Sequence, residues 1–276
     1  MPVYISDALY TSFSGSSTPS LNPDSPRIGI QNITSISNIN SSVGELPTNP
    51  SWLTSTPSTA ERWKQESRTF HFWSADTNEE IIDYVGIAAH RGLVGRSIEI
   101  SVDFGAGNVT VYGPVIVTDS SPILALFEPA AASGVTIFIS SIESFELEIG
   151  IINVGLTVAL PRNIYVDHTP ITMGRRPSKL ISNSDNGQFL GQIATKNTLH
   201  SSVSMANIQP DYFRSEIFPK FIVPAETLPF FWAWRPKSYP LEYGLCWTQD
   251  GVNVTNSLAN GFMQMDFTMT GYNSNG

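Results

Sequence analysis

The chain has 276 residues, 41% of them hydrophobic and only 14% charged, with a formal net charge of −9. A charged share this far below the ~25% of ordinary soluble domains leaves Ser, Thr and Asn to supply the polar surface, and predicts that part of the chain lies against partners. The acidic balance excludes a nucleic-acid groove, which needs clustered Lys and Arg to neutralise phosphates.

Residues 1–25 are rich in Ser, Thr, Pro and Gly around Tyr4, Tyr10 and Phe13. Such a segment cannot bury enough surface to order itself. It reads either as a solvated tail or as an arm ordered against a neighbouring subunit through Tyr4-Ile5 and Leu9-Tyr10. Met1–Asp7 has neither a basic stretch nor an apolar one after it, so no secretory signal is expected and the chain is made in a cytoplasm. From 26 to 158, short apolar runs are separated by turns: Ile28–Ile30, Phe70–Trp73, Ile81–Ala89, Ser97–Val102, Val115–Val117, Ile123–Phe127, Val135–Ser140 and Phe145–Ile149. With Gly105-Ala106-Gly107-Asn108 and Ala132-Ser133-Gly134 between them, they predict an all-β sandwich closed without a helix. The near-continuous run Ile81–Ala89 has the pattern of a strand buried on both faces.

Residues 159–276 read as a second β-rich domain, with turn signals at Met173-Gly174, Asp185-Asn186-Gly187, Asp250-Gly251 and Asn260-Gly261. One short helix is predicted over Pro210–Phe218: Pro210 suits a first helical position, Asp211 complements the dipole, and Pro219 should stop it. Phe218, Phe221, Phe230, Phe231, Trp232, Trp234, Tyr239, Tyr243 and Trp247 form a dense aromatic cluster. Ordinary core packing accounts for most of it, but adjacent strand residues such as Phe231 and Trp232 face opposite ways, so one of the two faces is placed to meet another subunit. Arg175-Arg176-Pro177-Ser178-Lys179 is a basic island in an acidic chain, read as a solvated loop or an inter-subunit salt contact. The single cysteine, Cys246, lies between Leu245 and Trp247 in a predicted buried strand, and excludes an intrachain disulfide or thiolate cluster. No apolar run reaches the ~20 residues of a membrane-spanning helix, so no membrane insertion is expected.

Motifs of catalysis are missing: there is no Gly-x-Ser-x-Gly, His-Glu-x-x-His, Walker or dinucleotide signature. Of the four histidines, His71 and His90 read as strand residues with structural hydrogen bonds, and His200 as strand punctuation. Asp167-His168 would be an acid–base pair, but neighbours on a strand point apart. Asp76, Glu79, Glu80, Asp83, Glu99 and Asp103 cannot be paired into a hydrolytic cleft from sequence and read as solvated strand edges. Asn183-Ser184-Asp185-Asn186-Gly187 carries oxygen ligands but lacks the later bidentate Glu of a calcium loop, and reads as a hairpin turn. No catalytic residue, cofactor or metal is assigned, and the protein is not expected to be an enzyme.

Phe70-His71-Phe72-Trp73-Ser74-Ala75-Asp76, followed by Tyr84-Val85-Gly86-Ile87-Ala88-Ala89-His90 and a loop, resembles the discoidin-like or galactose-binding-like module of tail proteins of long-tailed bacteriophages. Pro26–Asn32, Leu46–Pro50 and Arg62-Trp63 are similar to the opening segments of that module, and the likeness spans 26–158. Gly187–Gly191, His200–Ser204, Pro219–Phe221 and Phe230–Trp234 resemble the C-terminal β-domain that accompanies it in minor tail or distal-tail-type proteins. The resemblance implies a galactose-binding-like sandwich (jelly roll) and a structural part of a tail tip or baseplate, located in the virion. It would assemble with itself as a ring or collar and with tail tube, hub and fibre proteins. The alternative it implies is a carbohydrate-binding module that attaches the virion to a host-surface glycan, with Trp52, Arg91 and Asp103 at the site.

Overall fold

The computed structural model describes residues 4–5, 24–30, 37–41, 46–162, 164, 168–256 and 261–273. Most of the N-terminal arm 1–25, including Leu9-Tyr10, lies outside them, as do Asp167 and Asn260. The described residues form two sheets. Of the arm, β1 (Tyr4–Ile5) pairs in parallel with Ala125-Leu126 of its own chain.

The first sheet is built on two very long strands, β4 (Trp63–Ala88) and β7 (Ile123–Ile149). The sequence breaks each into separate runs, but each strand continues through four irregularities in the β4–β7 ladder and folds the sheet over on itself. The bend in β4 falls between Asp76 and Glu80, where Asn78 and Glu79 adopt φ of 50° and 61°. There Thr77 Oγ1 donates to the Ala132 carbonyl of β7. Before the bend, β3 (Ser37–Ser41), β4, β7, β5 (Ser97–Asp103) and β6 (Asn108–Ile116) make one layer. After it, the far half of β4 pairs with the near half of β7 and with β8 (Ile151–Gly155) to make the other. Trp63, Trp73, Ile98, Ile100, Ile137 and Leu147 from one layer and Val85, Ile87, Ile123, Ala125, Ile152 and Val154 from the other share one buried core. This is the expected all-β sandwich.

The second sheet has the order β10-β11-β14-β13-β12-β2-β9. Its strands are β2 (Arg27–Ile30), β9 (Val158–Ala159), β10 (Arg175–Asn183), β11 (Phe189–Ile208), β12 (Phe230–Ala233), β13 (Tyr243–Asn256) and β14 (Met263–Gly271). The segment Ile28–Ile30, read as the start of the first module, pairs instead with Phe230–Trp232 of β12. A three-residue apolar run fits either sheet, and its register on β12 is set by partners about 200 positions away. Asp250-Gly251 is not a turn between strands: Gly251, at φ 74°, sits in an irregularity between Thr248 and Val252 that β13 passes through.

The helical run is longer than expected, continuing from Pro210–Tyr212 through Phe213–Ile222 to Val223–Ala225. Pro219 does not stop it because the middle segment is a π-helix, whose wider turn bonds the Val223 N–H to the Phe218 carbonyl and accommodates the proline ring. Phe213, Ile217, Phe221 and Ala225 recur every fourth residue, which keeps them on one face of this wide helix, against Phe230, Trp232, Met265 and Phe267.

The other face of the second sheet meets the sandwich of the same chain. Phe231, Ala233, Tyr243 and Leu245 pack on Tyr84, Ala88, Leu124, Leu126 and Ile151. Phe231 and Trp232 do point opposite ways, but Phe231 meets this chain's own β4 and is fully buried, not another subunit. Gly86 makes the approach possible: a Cβ there would stand 2.5 Å from the Phe231 ring. The Tyr243 hydroxyl donates to the Pro122 carbonyl across the same junction. Buried Asp83 adds a polar tie, accepting from the Thr157 N–H and hydroxyl, with Arg27 of β2 3.7 Å away. Burial pushes the Asp83 carboxyl up to about 6 against the pull of Thr157 and Arg27. The run expected over Ile81–Ala89 is therefore buried on both faces from Ile82 on, whereas Ile81 is 56% exposed.

Candidate functional site

The three residues proposed for a glycan site do not come together. Trp52 lies on the short 3-10 turn Ser51–Ser55 and is 56% exposed. Arg91 forms an isolated bridge with Glu148, N–H to carbonyl at 2.8 Å and 3.1 Å, which leaves its side chain exposed. The Glu148 carboxylate is taken by Lys64 at 2.8 Å and Arg62 at 3.1 Å, and the Lys64 hydrogen bond is the main force holding its pKa below the carboxylate range. The Thr59 carbonyl packs at Gly150, beside Ala89, so the 46–62 segment and the loop carrying Arg91 occupy one end of the sandwich. Asp103 is at the other end: it pairs in register with Gly134, which pairs with Asp76 at the bend of β4. Its carboxylate accepts the Gly105 N–H at 2.9 Å and shapes the β5–β6 turn.

The histidines are structural. His71 is fully buried, donates from Nε2 to the Phe145 carbonyl at 3.0 Å, and is held by burial below its ordinary pKa. His90 donates to the Ser121 carbonyl at 2.8 Å. His168 lies 3.5 Å from the Ser201 hydroxyl, a distance that invites a nucleophile–base reading. The proton placement rejects it: His168 Nδ1 donates to the Ser202 carbonyl and Ser201 Oγ to the Thr169 carbonyl, so neither can take the other's proton. Among the described residues no group of three His, Cys, Asp or Glu could hold a metal ion. Cys246 is buried, and burial pushes its thiol well up. Two shallow clefts, about 430 and 320 Å³, lie at Thr59, Leu228 and Trp247 and at Asp119, Arg175 and Tyr272. Neither gathers a catalytic set.

Two surfaces that motif reasoning missed stand out. The first is the hairpin of β10 and the start of β11, closed by the turn at Ser184–Gln188 as expected, with Gly187 at φ 77°. Every residue of β10 is exposed, because only Leu199–Ile208 of β11 pairs with β14 and the rest of the hairpin projects beyond the sheet. Leu180 faces Ile193 across the ladder on one side and Ile181 lies on the other. With Phe189 and Leu190 these side chains are 60–69% exposed. The basic island is not a loop but the first half of β10. The second surface is the outer face of the sandwich, where Phe70 and Phe138 stack with centroids 6.2 Å apart and Ile116 and Ile142 are also exposed. A signal for both was present: Leu180-Ile181 and Phe189-Leu190 cannot face one core, and the buried set His71 and Trp73 forces Phe70 and Phe72 outward.

No protein-family model matches the chain, and no curated protein matches it. Solved structures similar to it include CpGH89CBM32-6 of Clostridium perfringens, at 11% identity over 42% of this chain and 91% of that one, TM-score 0.35. A chitosan-binding module 1 from a Paenibacillus chitosanase/glucanase matches at 13% identity over 46% and 98%, TM-score 0.38. A Ruminococcus gnavus GH29 fucosidase matches at 13% over 47% of this chain, which spans only 26% of the enzyme, TM-score 0.40. Likeness of this size carries no argument about ligand, activity or assembly. The β-sandwich stands on the strand pairing alone.

Proposed function

We propose that this protein is a non-catalytic structural subunit of a bacteriophage tail tip or baseplate, assembling with copies of itself and with tail tube, hub and fibre proteins. The observation that carries the assembly role is the projecting β10–β11 hairpin. A two-stranded ribbon is marginal in water without a covered face, and this one presents apolar side chains on both sides. Exposed apolar surface of this kind marks a contact to be made. The rest of the molecule suits a rigid body, since the sandwich and the second sheet are joined by a buried aromatic junction. The virion setting rests on the sequence resemblance over 26–158. The test is native mass with negative-stain imaging of the purified chain: closed rings or collars are expected, and a chain that stays monomeric at its highest soluble concentration contradicts self-assembly.

One observation favours a second reading, binding of a host-surface glycan. The Trp52 indole is more than half exposed at the same end of the sandwich as the Arg91 side chain, a ring and a donor that suit a sugar. Asp103 has no part in it. On a glycan array, binding that is lost in Trp52→Ala and Arg91→Ala but kept in Asp103→Ala is the expected pattern; no binding to host polysaccharide removes this reading.

A further inference from the structure

The two unpartnered surfaces have opposite charge. Arg175, Arg176 and Lys179 line the body-proximal half of β10, all exposed, and no ion pair is found for them among the described residues. The distal half carries Leu180, Ile181, Phe189, Leu190 and Ile193. On the outer face of the sandwich, Phe138 lies between Phe72 and Glu99 in register, with Phe70 stacked diagonally against it. Buried Ile137 and Ile139, and Phe145 and Leu147, fix the outward direction of Phe138 and Glu146. Between these two stretches β7 bulges at Ser141–Ser144, which the ladder with β4 skips, with Ile142 97% exposed and Glu143 beside it. Arg68 sits at the margin, while Arg96 is committed to the Ser141 hydroxyl at 2.8 Å and to the Phe145 ring. Glu99, Glu143, Glu146 and Asp103 leave the face acidic.

We infer that the occupant of this outer face is the β10–β11 hairpin of a second copy of the chain. The inference rests on the assembly reading above and names the surface that receives the hairpin. A contact between two different patches leaves each copy with one free hairpin and one free face, so it propagates head to tail and closes as a ring where the rotation allows. Apolar side chains on the distal hairpin meet the Phe70, Phe138 and Ile142 side chains, and the Arg175–Lys179 half meets Glu99 and Glu143. Charge selects the register and excludes hairpin-on-hairpin or face-on-face pairing, because like charges would then be opposed.

The experiment reverses each charge set in the full-length chain and reads particle mass. Arg176→Glu with Lys179→Glu should drop the assembly to single chains, and so should Glu99→Lys with Glu143→Lys. All four substitutions in one chain should restore the wild-type mass. The far-UV circular dichroism of each variant, expected unchanged, separates lost contact from lost fold, since dissociation by itself lowers the melting temperature. If hairpin reversal dissociates the particle but face reversal does not, or if the fourfold variant stays monomeric, the receiving surface is wrong while self-assembly stands. A monomeric wild type contradicts both.

Discussion

Substitution at the junction between the two sheets gives a quantitative test of whether they form one cooperative body. A Cβ added at Gly86 would lie 2.5 Å from Phe231 Cε2 and 2.7 Å from Cδ2 and Cζ, about 1 Å inside the ~3.5–4 Å of a relaxed carbon contact. The ring cannot swing aside, being fully buried among Tyr84, Leu124 and Leu245. Overpacking of this kind costs ~1–3 kcal/mol, so Gly86→Ala should destabilise by about that amount. Phe231→Ala should cost ~3–5 kcal/mol through lost burial and the cavity left behind. At ~2–4 °C per kcal/mol for a chain of this size, the latter lowers the melting temperature by roughly 6–20 °C. In the double variant the ring that the added methyl would strike is gone, so its cost should fall short of the sum of the two single costs by ~1–2 kcal/mol. Urea unfolding of the four proteins measures this. Additivity within ~0.5 kcal/mol, or separate transitions for sandwich and second sheet in the parent protein, would refute the shared junction.

Asp83 gives a pH signature. Its folded-state pKa of about 6 lies above the ordinary carboxylate value, so the folded protein holds the proton more tightly than the unfolded one, and stability falls as pH rises from ~4 to ~6. The contribution is on the order of 3 kcal/mol over that window, and it should appear as the pH-dependent part of the stability difference between parent and Asp83→Asn, which lacks the titrating group. Equal pH slopes in the two proteins would contradict it. Tyr243→Phe removes the hydrogen bond to the Pro122 carbonyl and leaves that acceptor buried. A loss of ~1–2 kcal/mol in chemical denaturation is expected, and no loss would mean that water replaces the hydroxyl.

The sandwich and most of the double burial expected over Ile81–Ala89 were legible because periodicity and continuous apolarity are local signals, though Ile81 itself is exposed. The folding-over of β4 was not, since Asn78 and Glu79 look like a turn between strands, and only the pairing of Glu80 with Ala132 shows that the ladder resumes. Pro219 misled for a similar reason: a stop signal holds for an α-helix, and nothing local announces a π-helix. Both faces of the Phe231–Trp232 strand are covered by this chain and neither meets another subunit, because alternation says which way a side chain points and not what stands there. Of the glycan candidates, Trp52 and Arg91 do share an end of the sandwich, whereas Asp103 could be excluded only from the register. The hairpin's basic island was visible in the sequence, but its exposure depends on β14 ending its pairing at Leu199.

The most direct test of an assembly role is amide hydrogen exchange across residues 177–193 of the full-length protein as concentration is raised. In the monomer the projecting ribbon should exchange fast, being exposed on both faces, and protection should grow in step with particle mass. Exchange that stays fast while the particle forms would show that the hairpin is not the contact.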